Sequence, residues 1–319
     1  MDNEYAVAVV LGPTGSGKSD LALRIAEEFG GEIVNCDSVQ VFKGFDIGTA
    51  KTPPGERRGI PHHLIDVIDP TGLFTAGDYA SAARAVLSDV AKRGRLPVVV
   101  GGTGFYLRAL IEGLSAGPRR DEELRARLLG REQKRAGSLH KILSRLDPEA
   151  AARIHPNDRN KTLRALEIRI LEDQPAAKLF LAGREPLAGF KPLRIGLNPD
   201  RELLYRKLDA RAAAMFDGGL LEEVSDLLAS GVPPDAKPFE SLGYAQALQV
   251  LNGRLTKEQA IEATQQETRR YAKRQLTWFR REQDVHWLRG FGDEPEVQAQ
   301  ALALVAIATK AKSNRAPHV

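Results

Sequence analysis

Cysteine is nearly absent from this sequence of 319 residues, which contains a single one, Cys36. One thiol cannot form an intrachain disulfide, and such sparing use of cysteine is typical of a reducing compartment. Long hydrophobic runs are missing too, because the first apolar run, YAVAVVL at 5–11, stops at Gly12 and Pro13, and no basic segment precedes it. The sequence therefore predicts a cytoplasmic protein with neither a signal peptide nor a membrane span.

A strong excess of one charge is also lacking. Lysine and arginine number 46 against 42 aspartate and glutamate residues, which gives a formal net charge of +4 and a sequence pI of about 9.1. Apolar residues make up 42% and charged residues 28%, as in an ordinary globular protein. So mild a basic excess indicates an anionic partner only where the basic residues cluster.

Short buried strands alternate with helical segments at both ends of the chain. The predicted strands lie at 5–11, 32–37, 96–102, 193–200 and 284–288. The first is a continuous apolar run rich in valine, as expected for a central parallel strand covered on both faces, and the next two are short buried strands. This alternation predicts an α/β fold with a doubly wound parallel sheet, whose functional residues gather beyond the carboxyl ends of the strands.

A strongly charged helical stretch with few strand signals interrupts the alternation. We therefore predict one α/β core that is divided by a helical insertion. The predicted parts are a first core segment at 1–117, the insertion at 118–191, a second core segment at 192–308 and a disordered tail at 309–319.

A glycine-rich turn follows the first strand and matches the complete phosphate-loop pattern, GxxxxGKS. Its glycines allow backbone N–H groups to turn toward phosphate oxygens, the following helix adds positive potential, and Lys18 supplies a point charge. Ser19 is the expected ligand of Mg²⁺. The candidate phosphate-binding residues are Gly12, Pro13, Thr14, Gly15, Ser16, Gly17, Lys18 and Ser19.

The aspartate with which a nucleotide hydrolase organises Mg²⁺ is missing from its usual place. It is expected at the end of a second apolar strand, but LPVVVGG ends in two glycines. Asp37 instead ends the strand after the phosphate-loop helix, where a carboxylate can serve as general base, as metal ligand or as a turn cap. Thr103 is either a turn residue or a donor to a diphosphate oxygen. The loop is therefore expected to hold something other than a nucleotide for hydrolysis.

Basic residues cluster in two segments of the chain. The helical stretch TRRYAKRQLTWFRR at 268–281 interleaves them with Tyr271 and Trp278. This arrangement suits nucleic acid, because guanidinium groups pair with phosphates and aromatic rings stack on bases, although a solvated basic face is the commoner explanation. The predicted insertion repeats arginine and lysine between residues 119 and 135, where part of the charge pairs with acidic residues one helical turn away.

Together these blocks resemble the tRNA dimethylallyltransferases of the bacterial type, also called tRNA isopentenyltransferases. The matching blocks include GPTGSGKSDLA, NCDSVQVFKGFDIGTAK, PHHLID, GGTGFYLRAL, SLGYAQAL and TRRYAKRQLTWFRR, and they occur in the family's order from residue 11 to about 281. The resemblance implies a P-loop NTPase-like parallel sheet with a helical insertion that grips the anticodon arm of tRNA. Val39 and Phe42 depart from the arginine and tyrosine that many relatives carry.

The resemblance also implies the reaction, which transfers a dimethylallyl group from dimethylallyl diphosphate to N6 of the adenosine 3′-adjacent to the anticodon, with Mg²⁺ as cofactor. In that reaction Asp37 takes the amine proton, while Thr103 and Arg211 bind the diphosphate. The positions expected to contact tRNA are Asp37, Ser38, Val39, Gln40, Thr103, Arg125, Asn160, Lys161, Thr162, Leu163, Arg164, Ser241, Leu242, Gly243, Tyr244, Arg270 and Arg274. A monomer is expected. An enzyme that prenylates free AMP and a P-loop small-molecule kinase are the alternatives.

Overall fold

The protein is described by a computed structural model that covers residues 4–115, 117–118, 120–172, 175 and 184–313. The chain folds as two compact units. The first, here called the core unit, comprises Met1–Ile111 and Leu187–Val319, and the second, the insertion unit, comprises Glu112–Pro186. The predicted insertion, 118–191, begins and ends a few residues later than the insertion unit.

A parallel sheet forms the centre of the core unit, with strand order β3-β2-β4-β1-β5-β6 among the described residues. The strands are β1 (Tyr5–Leu11), β2 (Gly31–Asn35), β3 (His62–His63), β4 (Leu96–Val100), β5 (Phe190–Leu197) and β6 (Val285–Leu288). Every pair of neighbours is parallel. The predicted α/β parallel sheet is thus confirmed, and β3 is a strand that the sequence did not predict.

Twelve α-helices lie within the described ranges. They are α1 (Lys18–Phe29), α2 (Ala76–Lys92), α3 (Gly104–Ile111), α4 (Glu122–Lys134), α5 (Ser138–Leu146), α6 (Pro148–Arg153), α7 (Arg159–Leu171), α8 (Arg201–Asp217), α9 (Leu220–Ala229), α10 (Tyr244–Leu251), α11 (Lys257–Phe279) and α12 (Pro295–Ser313). Because α12 reaches Ser313, residues 309–313 are helical where a disordered tail was predicted, and 314–319 lie outside the described residues. No helix in the described part of the chain is both long and apolar enough to cross a membrane.

Helices cover both faces of the sheet, because the central strands are apolar on both sides. Val9 and Val99 face one side, where they pack in a cluster with residues of α2 and α3. Val10 and Val98 face the other side, where the cluster includes residues of α1 and α12. Residues of β2 and β4 are buried throughout. This double cover fixes the central strands and leaves their carboxyl ends as the edge from which functional loops emerge.

The insertion unit has a core of its own. Leu128 of α4, Leu143 of α5 and Leu166 of α7 belong to one buried cluster. Glu167 is buried in the same unit, where Arg125 binds both of its carboxylate oxygens, at 2.9 and 2.8 Å. Arg164 adds a third contact of 2.7 Å. The four helices among the described residues of this unit are therefore held by apolar packing and by one fully paired carboxylate.

Candidate active site

The phosphate loop joins β1 to α1. Gly15 and Gly17 have φ angles of 75° and 79°, a region that favours glycine because it has no Cβ. A Cβ on Gly17 would also lie only 2.7 Å from the backbone nitrogen of Gly292. Inside the loop, the hydroxyl of Ser16 donates to the carbonyl oxygen of Pro13 at 2.8 Å. The glycines that the motif predicts are thus required by conformation and by space.

Lys18 is the first residue of α1, and its ammonium group donates to the carbonyl oxygen of Pro13 at 2.7 Å. The pKa of Lys18 is lowered to about 7, first by burial and then by the positive charge of Arg211, while the negative charge of Asp37 opposes both. Two cations are therefore held together at one end of the loop. An anion bound between them would favour the charged form of Lys18.

Arg211 reaches the same loop from α8. Its Nη2 atom donates to the hydroxyl oxygen of Thr14 at 2.6 Å. Burial lowers the pKa of Arg211, while the charge of Asp37 acts in the opposite direction. The structure places Arg211, which the resemblance assigns to diphosphate binding, against the phosphate loop.

Asp37 lies just beyond the carboxyl end of β2, the strand that pairs with β4. Its Oδ1 atom accepts hydrogen bonds from the N–H groups of Val39, at 2.8 Å, and Gln40, at 3.3 Å. No hydrogen bond to Oδ2 is formed by the residues that the structure describes. The turn therefore orients the carboxylate through one oxygen and leaves the other for a substrate.

Thr103 follows β4 and joins this turn from the neighbouring strand. Its hydroxyl oxygen accepts from the N–H of Ser38 at 3.0 Å, and its own N–H donates to the carbonyl oxygen of Cys36 at 3.2 Å. Because β4 lies between β2 and β1, the carboxyl ends of these three strands bring together the phosphate loop, Asp37 and Thr103. Asp37, Thr103 and the phosphate loop thus lie at the same end of the sheet, and Arg211 reaches the loop from α8.

The charge of Asp37 extends over this whole crevice. It opposes the lowering of the pKa of Lys18 and of Arg211, and it adds to burial, which raises the pKa of Tyr271 in α11. Influence on groups from three separate helices means that they all lie near the carboxylate. The crevice therefore has a cationic side at the phosphate loop, a carboxylate side at β2 and an aromatic residue near both.

Ser19, the predicted magnesium ligand, is exposed in the first turn of α1. It lines a small cavity together with Asn35 and Gln40. The described residues contain no group of three or more histidine, cysteine, aspartate or glutamate side chains placed to hold a metal ion. Mg²⁺ is usually held by one or two protein oxygens together with substrate phosphates, and a hydroxyl beside a phosphate loop fits that pattern.

The residues after Asp37 form a loop that is held by hydrogen bonds from buried side chains. The ammonium group of Lys51 is buried, where it donates to the carbonyl oxygen of Phe42 and to the carboxylate of Asp46. The N–H of Gly48 donates to the hydroxyl of Tyr244 at 3.1 Å, and that hydroxyl donates to Glu223. Buried, fully paired groups therefore fix the position of this loop.

Tyr244 consequently differs from its predicted role in tRNA contact. Its side chain is fully buried and supports the loop from within the core, and Gly243 is buried beside it. Ser241 and Leu242 are half-buried, as are the side chains of Ser38, Val39 and Gln40. These half-buried side chains therefore keep some surface at which a large ligand could be contacted.

In the insertion unit the predicted tRNA positions fall into two groups. Asn160 and Lys161 are exposed in the first turn of α7. Thr162 and Leu163 are buried, at 1% and 3% exposure, so their side chains serve the core of this unit. Arg125 and Arg164 are both committed to Glu167, which gives them a structural role in this unit.

On α11 the predicted basic residues are exposed. Arg270 pairs with Glu267 of the same helix, and the guanidinium of Arg274 lies 5.7 Å from the centroid of the Tyr271 ring. The opposite face of this helix holds Gln275, a buried residue that contacts the phosphate loop and was not predicted to be functional. The available signal was a polar side chain on the apolar stripe with Ala272 and Phe279.

Comparison with known proteins agrees with this arrangement. A family model described as IPP transferase matches residues 40–282. The tRNA dimethylallyltransferase of Solibacter usitatus is 59% identical over 300 residues, covering 94% of this chain and 98% of that protein. The protein of the same name from Koribacter versatilis is 56% identical over 298 residues, covering 93% and 97% of the two chains.

Solved structures show the same likeness. The tRNA isopentenylpyrophosphate transferase of Bacillus halodurans is 35% identical with a TM-score of 0.72, and the match covers 98% of both chains. A eukaryotic dimethylallyltransferase described as acting on tRNA is 29% identical with a TM-score of 0.82, covering 99% of this chain and 81% of the other. These neighbours have the P-loop NTPase-like fold that the sequence predicted. From its family match and its near-full-length relatives, the chain belongs to the tRNA dimethylallyltransferase family.

Proposed function

We propose that this protein transfers a dimethylallyl group from dimethylallyl diphosphate to N6 of the adenosine 3′-adjacent to the anticodon of tRNA. The observation that carries the proposal is the crevice at the carboxyl ends of β2, β4 and β1, where the charge of Asp37 acts on Lys18 and Arg211. A cationic phosphate loop beside a single oriented carboxylate suits a reaction that expels diphosphate and removes one proton. Relatives along nearly the whole chain carry the name tRNA dimethylallyltransferase.

The leaving group is bound by the phosphate loop. In the reaction, N6 of the adenine attacks C1 of the allylic group, and the bond between C1 and the diphosphate oxygen breaks with its electron pair moving to the diphosphate. The growing negative charge is stabilised by Lys18, Arg211 and the backbone N–H groups of the loop. Because Arg211 already lies against Thr14 at 2.6 Å, these groups need little rearrangement.

Asp37 takes the proton that N6 loses as the new bond forms. Its Oδ1 is held by two backbone N–H groups, which orients the carboxylate, and Oδ2 is the oxygen that receives the proton. Thr103 holds Ser38 next to this carboxylate through the 3.0 Å hydrogen bond to the backbone. The base and its supporting turn therefore come from two adjacent strands.

Mg²⁺ is proposed as the cofactor, held by the hydroxyl of Ser19 together with diphosphate oxygens. When bound, it neutralises part of the charge on the departing diphosphate. The exposed position of Ser19 at the start of α1 is compatible with this role.

The tRNA contacts proposed for this chain are its exposed basic and polar positions. Arg270 and Arg274 on α11 provide charges for the phosphate backbone, and Asn160 and Lys161 provide a second exposed group on α7. The target base has to leave the anticodon stack to reach a crevice at the end of a sheet. In this proposal the protein is a cytoplasmic monomer.

The test is incubation of the protein with Mg²⁺, dimethylallyl diphosphate labelled in the allyl group and tRNA that lacks the modification. We expect label on the tRNA, at the adenosine next to the anticodon. Excess AMP added as a competitor should not take label. Labelling of AMP in place of tRNA would instead support the mononucleotide enzyme, and phosphate transfer from ATP without prenyl transfer would support a kinase.

A further inference from the structure

Gln275 lies on the inner face of α11, beneath the basic surface of that helix. Its side chain is 6% exposed, between the buried residues Ala272 and Phe279. A buried amide is costly unless its donors and acceptor find partners, so its hydrogen bonds identify what the side chain holds.

The amide of Gln275 bridges two loops that are far apart in the sequence. Its Oε1 atom accepts from the backbone N–H of Thr14 at 2.8 Å. Its Nε2 atom donates to the backbone carbonyl oxygen of Gly102 at 2.9 Å. The orientation of the amide follows from its partners, because a backbone N–H can only donate and a carbonyl oxygen can only accept.

These two loops form opposite sides of the candidate active site. Thr14 belongs to the phosphate loop, and its hydroxyl oxygen also accepts from Arg211 at 2.6 Å. Gly102 is followed by Thr103, whose hydroxyl oxygen holds the N–H of Ser38 beside Asp37. One side chain thus connects the part that binds the leaving group with the part that carries the base.

The bridge is tightly fitted. A Cβ on Gly102 would lie 2.2 Å from Nε2 of Gln275, so the two residues are in direct contact without space for a side chain at position 102. The N–H of Thr14, predicted to bind phosphate, is directed to Gln275 instead. The contact therefore fixes the conformation of the loop and selects which of its N–H groups face a ligand.

We propose that Gln275 is a positioning residue that sets the separation between the phosphate loop and the strand edge carrying Asp37 and Thr103. This inference rests on the proposed function, in which the leaving group and the proton acceptor must be held at a fixed distance. A displacement of about 1 Å between reacting groups lowers turnover by about 100-fold, so loss of the bridge affects chemistry more than tRNA binding.

The test compares Gln275→Leu, which removes both hydrogen bonds, with Gln275→Glu, which keeps an acceptor for Thr14 but places a carboxylate oxygen against the carbonyl of Gly102. The matched control is Gln265→Leu. Gln265 is also on α11 and its Nε2 also donates to a backbone carbonyl, that of Asp209 at 3.1 Å, but it contacts α8 and not the phosphate loop. All three variants and the natural protein are compared as folded full chains.

The readouts are kcat and the KM for tRNA in prenyl transfer, the affinity for inorganic pyrophosphate with Mg²⁺, and the unfolding temperature. We expect both Gln275 variants to lower kcat by about 10- to 100-fold with the KM for tRNA within about twofold of the natural protein. Pyrophosphate affinity should fall at least about tenfold in Gln275→Leu, while Gln265→Leu keeps the natural values of kcat and affinity.

Natural kcat and natural pyrophosphate affinity in a folded Gln275→Leu protein would overturn the inference. Equal losses in Gln265→Leu, or failure of both Gln275 variants to fold, would also overturn it, because the side chain would then serve the fold alone. If the natural protein transfers no prenyl group, the proposed function fails. The pyrophosphate measurement then still tests the bridge.

Discussion

Two backbone N–H groups, from Val39 and Gln40, hold Oδ1 of Asp37 and leave Oδ2 for the substrate. Asparagine at this position keeps an acceptor for the two N–H groups but cannot take a proton. We therefore expect Asp37→Asn to lower kcat by about 10²- to 10⁴-fold while the affinity for tRNA stays within about twofold. Single-turnover prenyl transfer and equilibrium binding of tRNA measure the two effects separately.

The control for Asp37→Asn is Asp69→Asn. Asp69 is an exposed carboxylate in the same part of the core unit, where it pairs with Lys43. The Asp69→Asn substitution removes the same charge without changing the crevice, so kcat should stay near the natural value. A loss of tRNA affinity as large as the loss of kcat in Asp37→Asn would make Asp37 a binding residue and contradict its role as base.

The lowered pKa of Lys18 predicts that diphosphate binding depends on pH. The pKa of Lys18 in the free protein is lowered to about 7, chiefly by burial, and a bound diphosphate raises it. Binding therefore takes up a proton at pH values above the free pKa, and affinity falls by up to about tenfold per pH unit as the pH rises above about 7. Below that pH the lysine is already charged and this contribution is constant.

Titration calorimetry with pyrophosphate across this pH range measures the effect, and Lys18→Arg is the reference because arginine stays charged throughout. The ionisation of pyrophosphate itself is common to both proteins and cancels in the difference of their log affinities. That difference should be flat below about pH 6 and should change by about one log unit per pH unit above about pH 7. Parallel curves for both proteins would contradict the role of Lys18 charge.

At the scale of elements, α11 serves two surfaces at once. Its inner face fixes the phosphate loop through Gln275, and its outer face presents Arg270 and Arg274. If the two arginines contact tRNA phosphates, Arg270→Ala with Arg274→Ala should reduce the slope of log affinity against log salt by about 2, or about 1 for each lost contact. Filter binding of tRNA at several salt concentrations measures this slope.

The matched control for α11 is Arg254→Ala with Lys257→Ala. It removes two positive charges near the other end of the same helix: the exposed Arg254, which precedes the helix, and the half-buried Lys257, which pairs with Asp217. The salt slope of this control should stay near that of the natural protein. Equal slopes in the two double variants would show that the helix contributes only general positive charge.

Strands and helices with a continuous hydrophobic pattern could be predicted from the sequence. Elements that form only by pairing with a neighbouring strand could not. The run YAVAVVL coincides with β1, because a valine-rich segment buried on both faces has a local signature. The strand β3 has only two residues, His62 and His63, and it exists through pairing with Ile33 and Val34 of β2. A segment that short has no periodicity to detect.

The candidate site shows the same division. The residues of the phosphate loop are consecutive in the sequence, so the motif alone was sufficient to locate the loop. Arg211 lies 197 residues from Thr14 in the sequence, and only the fold places it against that residue. Tyr244 and Thr162 were expected at a tRNA surface, but both are buried. A sequence motif identifies a position and does not tell which way its side chain faces. The role of Gln275 was missed because the sequence analysis of this helix considered its basic and aromatic residues and not its buried polar residue.

At the scale of the whole molecule, each of the two units has its own buried core, and the insertion unit depends on Glu167. Burial alone would raise the pKa of Glu167, but hydrogen bonds from Arg125, Arg164 and the N–H of Asp121 outweigh burial and lower the pKa to about 2. A carboxylate with a lowered pKa in the folded state contributes stability above its ordinary pKa of 4.5, and this contribution is lost as the pH falls through 4.5 toward about 2.

Glu167→Gln should therefore destabilise the insertion unit by about 3 kcal/mol at neutral pH, because Arg125 and Arg164 lose their charged partner in a buried position. The control is Glu149→Gln in the same unit, whose exposed pair with Arg153 contributes about 0.5 kcal/mol or less. Hydrogen exchange of the amides of α4 and α7 measures the local opening free energy, and pyrophosphate titration reports the core unit. The difference between natural and Glu167→Gln proteins should be constant above about pH 5 and should shrink below about pH 4. A difference that persists unchanged near pH 2 would mean that the side chain acts through its shape and not through its charge, and lost pyrophosphate affinity would mean that the two units do not respond separately.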